Sequence, residues 1–272
     1  MSTSVSAGPR ATPRPGRSRT VRALRGIGGV IIFLVIGEIV GRAGIVDRQF
    51  LPPSSEVLLR LAGLLTDGSF LSDVAATVVS FAEGLLIAFV IAFPAGLLLG
   101  SLPGVNSAVR VLLEFLRPIP GVALIPLAML LVADQDTMTS ALAAYAAAWP
   151  ILLNTIYAIG EVDPVARETA RCFGLSRFAI ALRVTLPSVA PFVATGVRVA
   201  AGIALIVVVS TELIAGGGEH GIGIFILTAS ADAQHADIVY AAVAATGLLG
   251  YLIDVLLRYA ERRLFRWHFA RD

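Results

Sequence analysis

Six apolar segments, most of them long enough to cross a lipid bilayer, constrain this chain more than any other feature of its sequence. A helix needs about 20 apolar residues to cross the hydrocarbon core, and within lipid its backbone polar groups must bond inside the same helix. The third segment is short and can extend back through 109–118. The segments lie at approximately 26–41, 74–100, 119–133, 138–160, 189–214 and 238–257. The sequence therefore predicts an all-α integral membrane protein with six transmembrane helices.

The composition supports this fold class and excludes one kind of nucleotide site. The mean hydropathy is +0.84 and 15% of the residues are charged, whereas a soluble domain carries about 25% charged residues. All 21 basic residues are arginine. A phosphate-binding loop of the GxxxxGK[ST] kind needs a lysine, so this chain cannot supply that part of an ATPase.

The arginines are distributed unevenly among the segments that link the apolar ones. Seventeen of the 21 fall in alternate linking segments, which are 1–25, 101–118, 161–188 and 258–272. Membrane proteins retain positive charge on the cytoplasmic side, so we expect these segments to be cytoplasmic. Residues 1–25 are mostly Ser, Ala, Pro and Arg with almost no bulky apolar residue, so they are expected to form a disordered basic cytoplasmic N-terminal tail. A six-span domain at 26–257 and a cytoplasmic C-terminal tail at 258–272 are expected to follow.

Metal and disulfide chemistry have little support in the sequence. Cys172 is the only cysteine, which excludes a disulfide within the chain and a thiolate metal cluster. His220, His235 and His268 lie far apart, without the spacing that places two ligands on one helix face. We predict no metal site.

One long polar stretch, 161–187, stands between two strongly apolar segments. Asp163 is expected to cap a short helix that Gly174 ends. Ser176 is expected to cap a second helix that stops at Leu186–Pro187. The predicted product is a helix–Gly–helix hairpin with an apolar face and a basic rim. Such a hairpin either lies on lipid headgroups or docks on a cytoplasmic partner.

The spacing within this hairpin resembles a family signature. The hairpin reads Glu168-Thr169-Ala170, three residues, Gly174, nine residues, then Val184-x-Leu186-Pro187. This run is similar to the E-A-A-x3-G-x9-I-x-L-P run of the permeases of ATP-binding-cassette (ABC) importers. Thr169 and Val184 replace an alanine and an isoleucine of that run. The resemblance implies coupling helices that sit in a groove of an ATP-hydrolysing subunit.

Four further stretches resemble the same family, in the same order. They are Phe50-Leu51-Pro52-Pro53-Ser54 with Val57, Arg117-Pro118-x-Pro120-x-x-Ala123-Leu124-x-Pro126-Leu127, Thr211-Glu212-Leu213-Ile214 with Gly221-Ile222-Gly223 and Ala236-Asp237, and Arg262-Arg263-Leu264 with Trp267-His268. Together they are similar to the branch that handles sulfonates, taurine, nitrate and similar small anions. The run 131–136 departs from the W-F-G-x-G of many relatives and introduces two acids.

The resemblance implies a type I importer permease, with a bundle over 26–257 and a coupling loop at 161–187, in the cell membrane. Such a permease forms the path for a small solute, pairs with a second permease copy and receives solute from an extracytoplasmic binding protein. ABC ATPase subunits at the cytoplasmic face would hold ATP and Mg. This chain is then expected to hold no cofactor, catalyse no reaction and bind no nucleic acid. The expected coupling residues are Arg167, Glu168, Thr169, Ala170, Phe173, Gly174, Leu175, Leu186 and Pro187.

Prolines and charges within the apolar segments are candidates for the translocation path. An interior proline frees a carbonyl group and bends its helix, so Pro118, Pro120 and Pro126 either shape the path or serve packing alone. Charges at membrane depth face the bundle interior or water. Arg198 is therefore interpreted as a structural ion pair or as an anion contact, and Glu212 as a candidate for the outer gate.

Two other functions stay open on the sequence alone. A secondary transporter driven by an ion gradient would need paired acids near the midplane and inverted repeats, whereas the acids here are scattered. A membrane scaffold that moves no solute would need no ATPase. Uptake in cells depleted of ATP tests the first alternative, and co-purification of an ATPase subunit tests the second.

Overall fold

The described part of the chain is helical throughout. A computed structural model describes residues 19–44, 47, 50–231 and 236–266, and every regular element within these ranges is a helix. The α-helices are α1 (Arg19–Arg42), α2 (Ser54–Leu64), α3 (Gly68–Ser101), α4 (Pro103–Leu116), α5 (Ile125–Leu131), α6 (Gln135–Gly160), α7 (Pro164–Cys172), α8 (Arg177–Ile180), α9 (Leu186–Ala215), α10 (Ile222–Ser230) and α11 (Ala236–Leu264). The predicted all-α fold class is confirmed.

The number of helices able to cross a membrane agrees with the predicted six segments. Five single helical segments within the described residues are long and apolar enough. A sixth crossing is obtained if the bent pair Ser107–Leu116 and Gly121–Leu131 counts as one span. The five are Leu24–Arg42, Gly68–Ser101, Gln135–Gly160, Arg177–Ala215 and Ala236–Leu264.

Contacts divide the chain into two compact units, Met1–Glu56 and Val57–Asp272, where the sequence predicts one domain over 26–257. In the first unit, α1 is apolar on all sides and its large side chains are exposed. The Glu38 carboxylate ion-pairs with Arg42 at 2.6 Å and accepts the Ser55 N–H at 2.9 Å. The charge of Glu38 is thereby paired within this unit.

In the second unit, α3, α6 and α9 approach one another at backbone distance. A Cβ placed on Gly84 of α3 would lie 2.7 Å from Ala143 Cβ of α6, and one on Gly100 would lie 2.8 Å from Ile159 Cδ1. These pairs also show that α3 and α6 run parallel. Gly196 makes the corresponding approach from α9 to Asn154 of α6. Small residues permit such packing in lipid, where dispersion contacts replace the hydrophobic drive between helices.

Long-range polar contacts fix the directions of the remaining helices. Thr77, near the start of α3, bonds Glu212, near the end of α9, so α9 is antiparallel to α3. Arg198 in the first half of α9 pairs with Glu261 near the end of α11, so α11 is antiparallel to α9. The ends of α3, α6 and α11 therefore lie with α7 at one end of the bundle, the α7 end. The opposite end carries α10 and is the α10 end.

The third predicted span differs most from expectation. The sequence predicts it at 119–133, but the structure shows two helices bent by 75° around residues 117–120. A 3₁₀ turn, Gly121–Leu124, follows the bend. Pro118 and Pro120 explain the break, because neither has an N–H to continue the helical ladder and each disfavours helical geometry in the residue before it.

Both predicted tails are shorter than the sequence analysis expects. Helix α1 begins at Arg19, within the predicted tail 1–25, and α11 continues to Leu264, within the predicted tail 258–272. Arginine is a good helix former, so a helix can continue past its apolar part through arginine-rich sequence. Residues 1–18 and 267–272, including Trp267 and His268 of the last motif, lie outside the described residues.

Candidate functional sites

The polar stretch between α6 and α9 folds into the predicted helix–Gly–helix hairpin. Asp163 caps α7 by accepting the Val165 N–H at 2.8 Å, and Ser176 caps α8 by accepting the Ala179 N–H at 3.2 Å. Gly174 lies between the two helices with φ +76°. Only glycine adopts this left-handed backbone at little cost. The predicted caps and the predicted end of the first helix at Gly174 are confirmed.

The predicted stop at Leu186–Pro187 is wrong. A π-helical turn, Ala181–Thr185, joins α8 to α9, so Arg177–Ala215 forms one helical segment. The Leu186 N–H bonds the Ala181 carbonyl, five residues back. This wider turn accommodates Pro187, which lacks the N–H that an α-helix would use. The hairpin therefore continues directly into a helix of the bundle core.

The predicted coupling residues divide into exposed and supporting side chains. Glu168, Thr169 and Gly174 are exposed, and the Phe173 side chain is 80% exposed. Ala170 is buried within the hairpin, and Leu175, Leu186 and Arg167 are partly buried; Pro187 is exposed. The hairpin therefore presents an apolar aromatic side chain beside charged and polar ones.

Arg167 has a structural role that was not predicted from the sequence, which is to join α7 to the end of α6. Its guanidinium donates to the carbonyl oxygens of Ile159 at 2.9 Å and Val162 at 2.8 Å. Carbonyls at the end of a helix lack partners within that helix, and a cation there is favourable. Arg167 thus fastens α7 to the end of α6, which sets the angle of the hairpin.

A cavity of about 460 Å³ lies beside the bend between α4 and α5. The bend supplies Arg117 and Pro120, while α6 supplies Trp149 and Asn154 and α9 supplies Ile203. Of the three predicted path prolines, Pro120 lines this cavity. Pro118 and Pro126 are exposed beside the bend and in α5.

Arg198 lies on a different side of α9 from Val199 and Ile203, which line the cavity at the bend. Its guanidinium is 3.1 Å from the Glu261 carboxylate of α11, with the two side chains 33% and 11% exposed. Thr195 donates to the same carboxyl group at 3.4 Å. Of the two interpretations left open by the sequence, this geometry favours the structural ion pair.

We expect the Arg198–Glu261 pair to stabilise the packing of α9 on α11. Arg198→Gln and Glu261→Gln should each lower the midpoint of thermal unfolding in detergent, and the double variant should lose less than the sum. A coupling energy of about 1 kcal/mol or more is expected from a double-mutant cycle. The pair Arg258–Asp254 is the control, because both of its side chains are exposed and should couple weakly. Additive effects at Arg198 and Glu261 would contradict this role.

Glu212 is buried at the α10 end, where it organises the turn between α9 and α10. Its carboxyl oxygens accept the Thr77 hydroxyl at 2.9 Å and the Gly223 N–H at 2.8 Å. The Ile222 N–H donates to the Thr77 oxygen at 2.9 Å, and Asp73 accepts the Gly221 N–H at 3.1 Å. Side chains of α3 and α9 therefore satisfy the first N–H groups of α10. These contacts account for Glu212 without a solute.

The acids that distinguish this chain at 131–136 line a second cavity at the α10 end. Its volume is about 590 Å³, and the acids among its described lining residues are Asp134, Asp136 and Glu219. Hydrogen bonds from the Thr137 hydroxyl and N–H hold the pKa of Asp134 below its usual value. The mouth of this cavity is therefore negatively charged near neutral pH.

Sequence reasoning missed several of these residues. Thr77 and Asp73 gain their roles only from contact with residues more than 130 positions away. Asn154 had a visible signal, since it is an amide within an apolar helix. Trp149 stands directly before a helix proline, but aromatic residues are common in membrane helices and do not by themselves indicate a binding site.

Three comparisons relate this chain to known proteins. A family model described as binding-protein-dependent transport system inner membrane component matches residues 84–266, about two thirds of the chain. The taurine transport system permease protein TauC of Escherichia coli is 27% identical over 89% of this chain and 89% of its own length. The bicarbonate transport system permease protein CmpB of Synechococcus elongatus is 29% identical over 88% of each chain.

A solved structure supports the same architecture. A chain of the MetNI methionine ABC transporter, in inward-facing conformations, matches with a TM-score of 0.55 and 24% identity. The match covers 71% of this chain and 93% of that chain. At this identity the likeness concerns the fold, which is the bundle of helices described above.

Proposed function

We propose that this chain moves a small anion across the cell membrane. The chain belongs to the family of binding-protein-dependent transport system inner membrane components, and it is the permease subunit of an ABC importer. The single observation that carries the solute class is the similarity to permeases named for taurine and bicarbonate, each spanning nearly nine tenths of the chain. The cavity at the α4–α5 bend is compatible with an anion, because Arg117 is the one charged residue among its described lining residues.

ATPase subunits are the partners proposed for the α7–α8 hairpin. Its exposed Phe173 and Glu168 would enter a groove on the ATPase, where ATP and Mg are held. The support is physical: a large apolar side chain 80% exposed at a rigid turn is stabilised when a partner buries it. The π-helical turn then transmits movement of the hairpin to α9 without a flexible linker.

The proposed orientation places the α7 end in the cytoplasm. The described arginines of α7, α8 and α11 cluster at that end, and positive charge is retained on the cytoplasmic side. An extracytoplasmic binding protein would deliver the solute at the opposite end of the bundle, the α10 end. A second permease copy is proposed to complete the path, with the N-terminal tail also in the cytoplasm.

Transport is proposed to proceed by alternating access. Nucleotide binding biases the ATPase pair toward closure, and rigid-body movement of the hairpins shifts the bundle between inward-facing and outward-facing states. Pro118, Pro120 and Pro126 contribute by keeping the α4–α5 span bent beside the path. Glu212 acts on the outer gate indirectly, by holding α10 against α3 and α9. Arg198 acts through its pair with Glu261.

Substituting Phe173 with alanine tests this proposal. We expect uptake of taurine or bicarbonate by proteoliposomes containing the permease–ATPase complex to fall about tenfold or more. The reason is that a buried phenylalanine contributes about 1.5–3 kcal/mol. Solute-stimulated ATP turnover should fall in parallel, while the amount of permease in the membrane stays unchanged.

Phe115→Ala is the matched control, because Phe115 is 72% exposed but belongs to α4 and not to the hairpin. Its uptake should stay near that of the unaltered protein. Equal uptake by the Phe173 and Phe115 variants would refute the docking role of the hairpin. Absence of taurine and bicarbonate uptake in the unaltered complex, with ATP turnover intact, would instead refute the solute class.

A further inference from the structure

The cavity at the α4–α5 bend is lined by hydrogen-bond donors that can accept a further partner. Arg117, Trp149 and Asn154 are among its lining residues, and none of the lining residues that the structure describes is Asp or Glu. A cavity of about 460 Å³ falls within the range of about 300–1,000 Å³ typical of small-molecule sites.

Arg117 has no ion-pair partner among the residues that the structure describes. It caps α4, where its backbone N–H bonds the Leu113 carbonyl. The sequence predicts Arg117 in the cytoplasmic segment 101–118, whereas the structure places it at the break of the bent α4–α5 span. A guanidinium at membrane depth is costly unless it meets a carboxylate, another anion or water. By contrast, Arg198 is paired with Glu261. The cation available beside the bend is therefore Arg117.

Trp149 carries a second unsatisfied donor. Its indole N–H is buried and has no hydrogen-bond acceptor within the described part of the chain. The ring is held by Tyr145, with the two ring centroids 5.9 Å apart in a T-shaped arrangement. An indole can only donate, and a buried donor without an acceptor destabilises the protein. Because Trp149 lines the cavity, an acceptor that enters the cavity and reaches this N–H would remove the penalty.

Asn154 offers a third donor, on the next turns of the same helix. One of its amide hydrogens is bonded to the Pro150 carbonyl, 2.8 Å away. The second amide hydrogen remains for a ligand. Asn154 lies six residues before the end of α6, which is about 9 Å along the helix. The three donors thus lie in the half of the bundle nearest α7.

We propose that Arg117, Trp149 and Asn154 form a binding site for the anionic group of the transported solute, a carboxylate, sulfonate or carbonate-type oxyanion. The proposal rests on the proposed function, since it places the recognition site within the path of an anion permease. The Arg117 guanidinium supplies the positive charge, and the N–H groups of Trp149 and Asn154 donate hydrogen bonds that orient the bound anionic group. Planar or tetrahedral oxyanions accept several such bonds at once.

The tryptophan at this site provides a direct test. The chain has two tryptophans, Trp149 and Trp267. In a Trp267→Phe background, the emission of the full-length chain in phosphatidylcholine nanodiscs reports on Trp149 alone. Phosphatidylcholine is zwitterionic, so no headgroup of net negative charge competes with the titrated anions, and its phosphate is the same in every titration. Taurine, bicarbonate and methanesulfonate are titrated at constant ionic strength, with choline as a cation that should have no effect.

We expect a saturable change of the Trp149 emission with at least one of the three anions. Arg117→Gln should weaken the apparent affinity about tenfold or more, because it removes a charged hydrogen-bond donor. Arg117→Lys should retain part of it. Arg262→Gln is the matched control, since Arg262 is an exposed arginine beside a different cavity and should leave the titration unchanged. Size-exclusion chromatography confirms that each variant is folded.

Two results would overturn the site: no saturable response to any of the three anions, or the same apparent affinity in Arg117→Gln as in the parent. If either result is obtained and the permease–ATPase complex in proteoliposomes still takes up taurine or bicarbonate, the proposed function stands and only this site is rejected. A saturable, Arg117-dependent response in a protein that transports none of these anions would keep the site and reject the proposed function.

Discussion

Replacing Gly174 with valine is expected to abolish productive coupling to the ATPase, with uptake reduced at least tenfold, while the protein still inserts in the membrane. Gly174 has φ +76°, a backbone conformation that costs an ordinary L-residue about 1–2 kcal/mol and a β-branched residue more. A Cβ at this position would meet nothing within 4 Å. The effect therefore comes from the backbone, which must leave the left-handed region and so change the angle between α7 and α8.

Further substitutions distinguish the effect of the left-handed backbone at Gly174 from the effect of losing a small side chain. Gly174→Asn should retain more uptake than Gly174→Val, because asparagine visits the left-handed region more readily. Gly160→Ala is the control, since a Cβ there also meets nothing within 4 Å and its φ is not positive. The measurements are solute uptake and the amount of ATPase subunit retained on the tagged permease. Equal performance of the valine and asparagine variants would show that the left-handed turn is not required.

Replacing Glu212 with alanine is expected to destabilise the packing of α10 on α3 and α9 strongly. The substitution leaves the Gly223 N–H and the Thr77 hydroxyl without their acceptor and opens a cavity where the side chain was buried. Unsatisfied buried donors cost about 1–3 kcal/mol each. We expect a loss of about 3 kcal/mol or more, seen as a lower midpoint of thermal unfolding and a lower yield of monodisperse protein.

Two further variants make this prediction specific. Glu219→Ala removes an exposed acid from the neighbouring loop and should leave the unfolding midpoint nearly unchanged. Glu212→Gln keeps one acceptor oxygen and should fall between the two. Gly223→Ala should resemble Glu212→Ala, because its Cβ would lie 2.5 Å from the Val209 carbonyl oxygen. A Glu212→Ala protein as stable as the Glu219 variant would contradict the structural role.

The hairpin shows what sequence can predict in this fold. Its two helices start and stop at Asp163, Gly174 and Ser176 because caps and left-handed turns depend on residues a few positions apart. The π-helical turn before Pro187 was not predicted, because a proline reads as a stop unless the preceding turn can widen by one residue. Residues near each helix end therefore predict the two helices of the hairpin, but they do not predict the π-helical turn that joins α8 to α9.

The bundle shows where prediction from sequence ends. The apolar segments identify the crossings, but the partners of Glu212 and Arg198 come from α3 and α11, 135 and 63 positions away. Such pairings depend on how the helices pack, and helix packing in lipid depends on small-residue contacts that many segments share. Arg117 belongs to a motif in the sequence, yet only the bend places its side chain in the same cavity lining as Trp149.

The glycine contacts that join α6 to α3 and α9 restrict how this permease can move. Gly84, Gly96 and Gly196 each bring two helices so close that added Cβ atoms would overlap the neighbour. Sliding or rotating one helix past another there would require these interlocked backbones to separate first. We therefore expect α3, α6 and α9 to move together as one rigid unit, with relative movement inside the chain limited to the bent span and the peripheral helices around it.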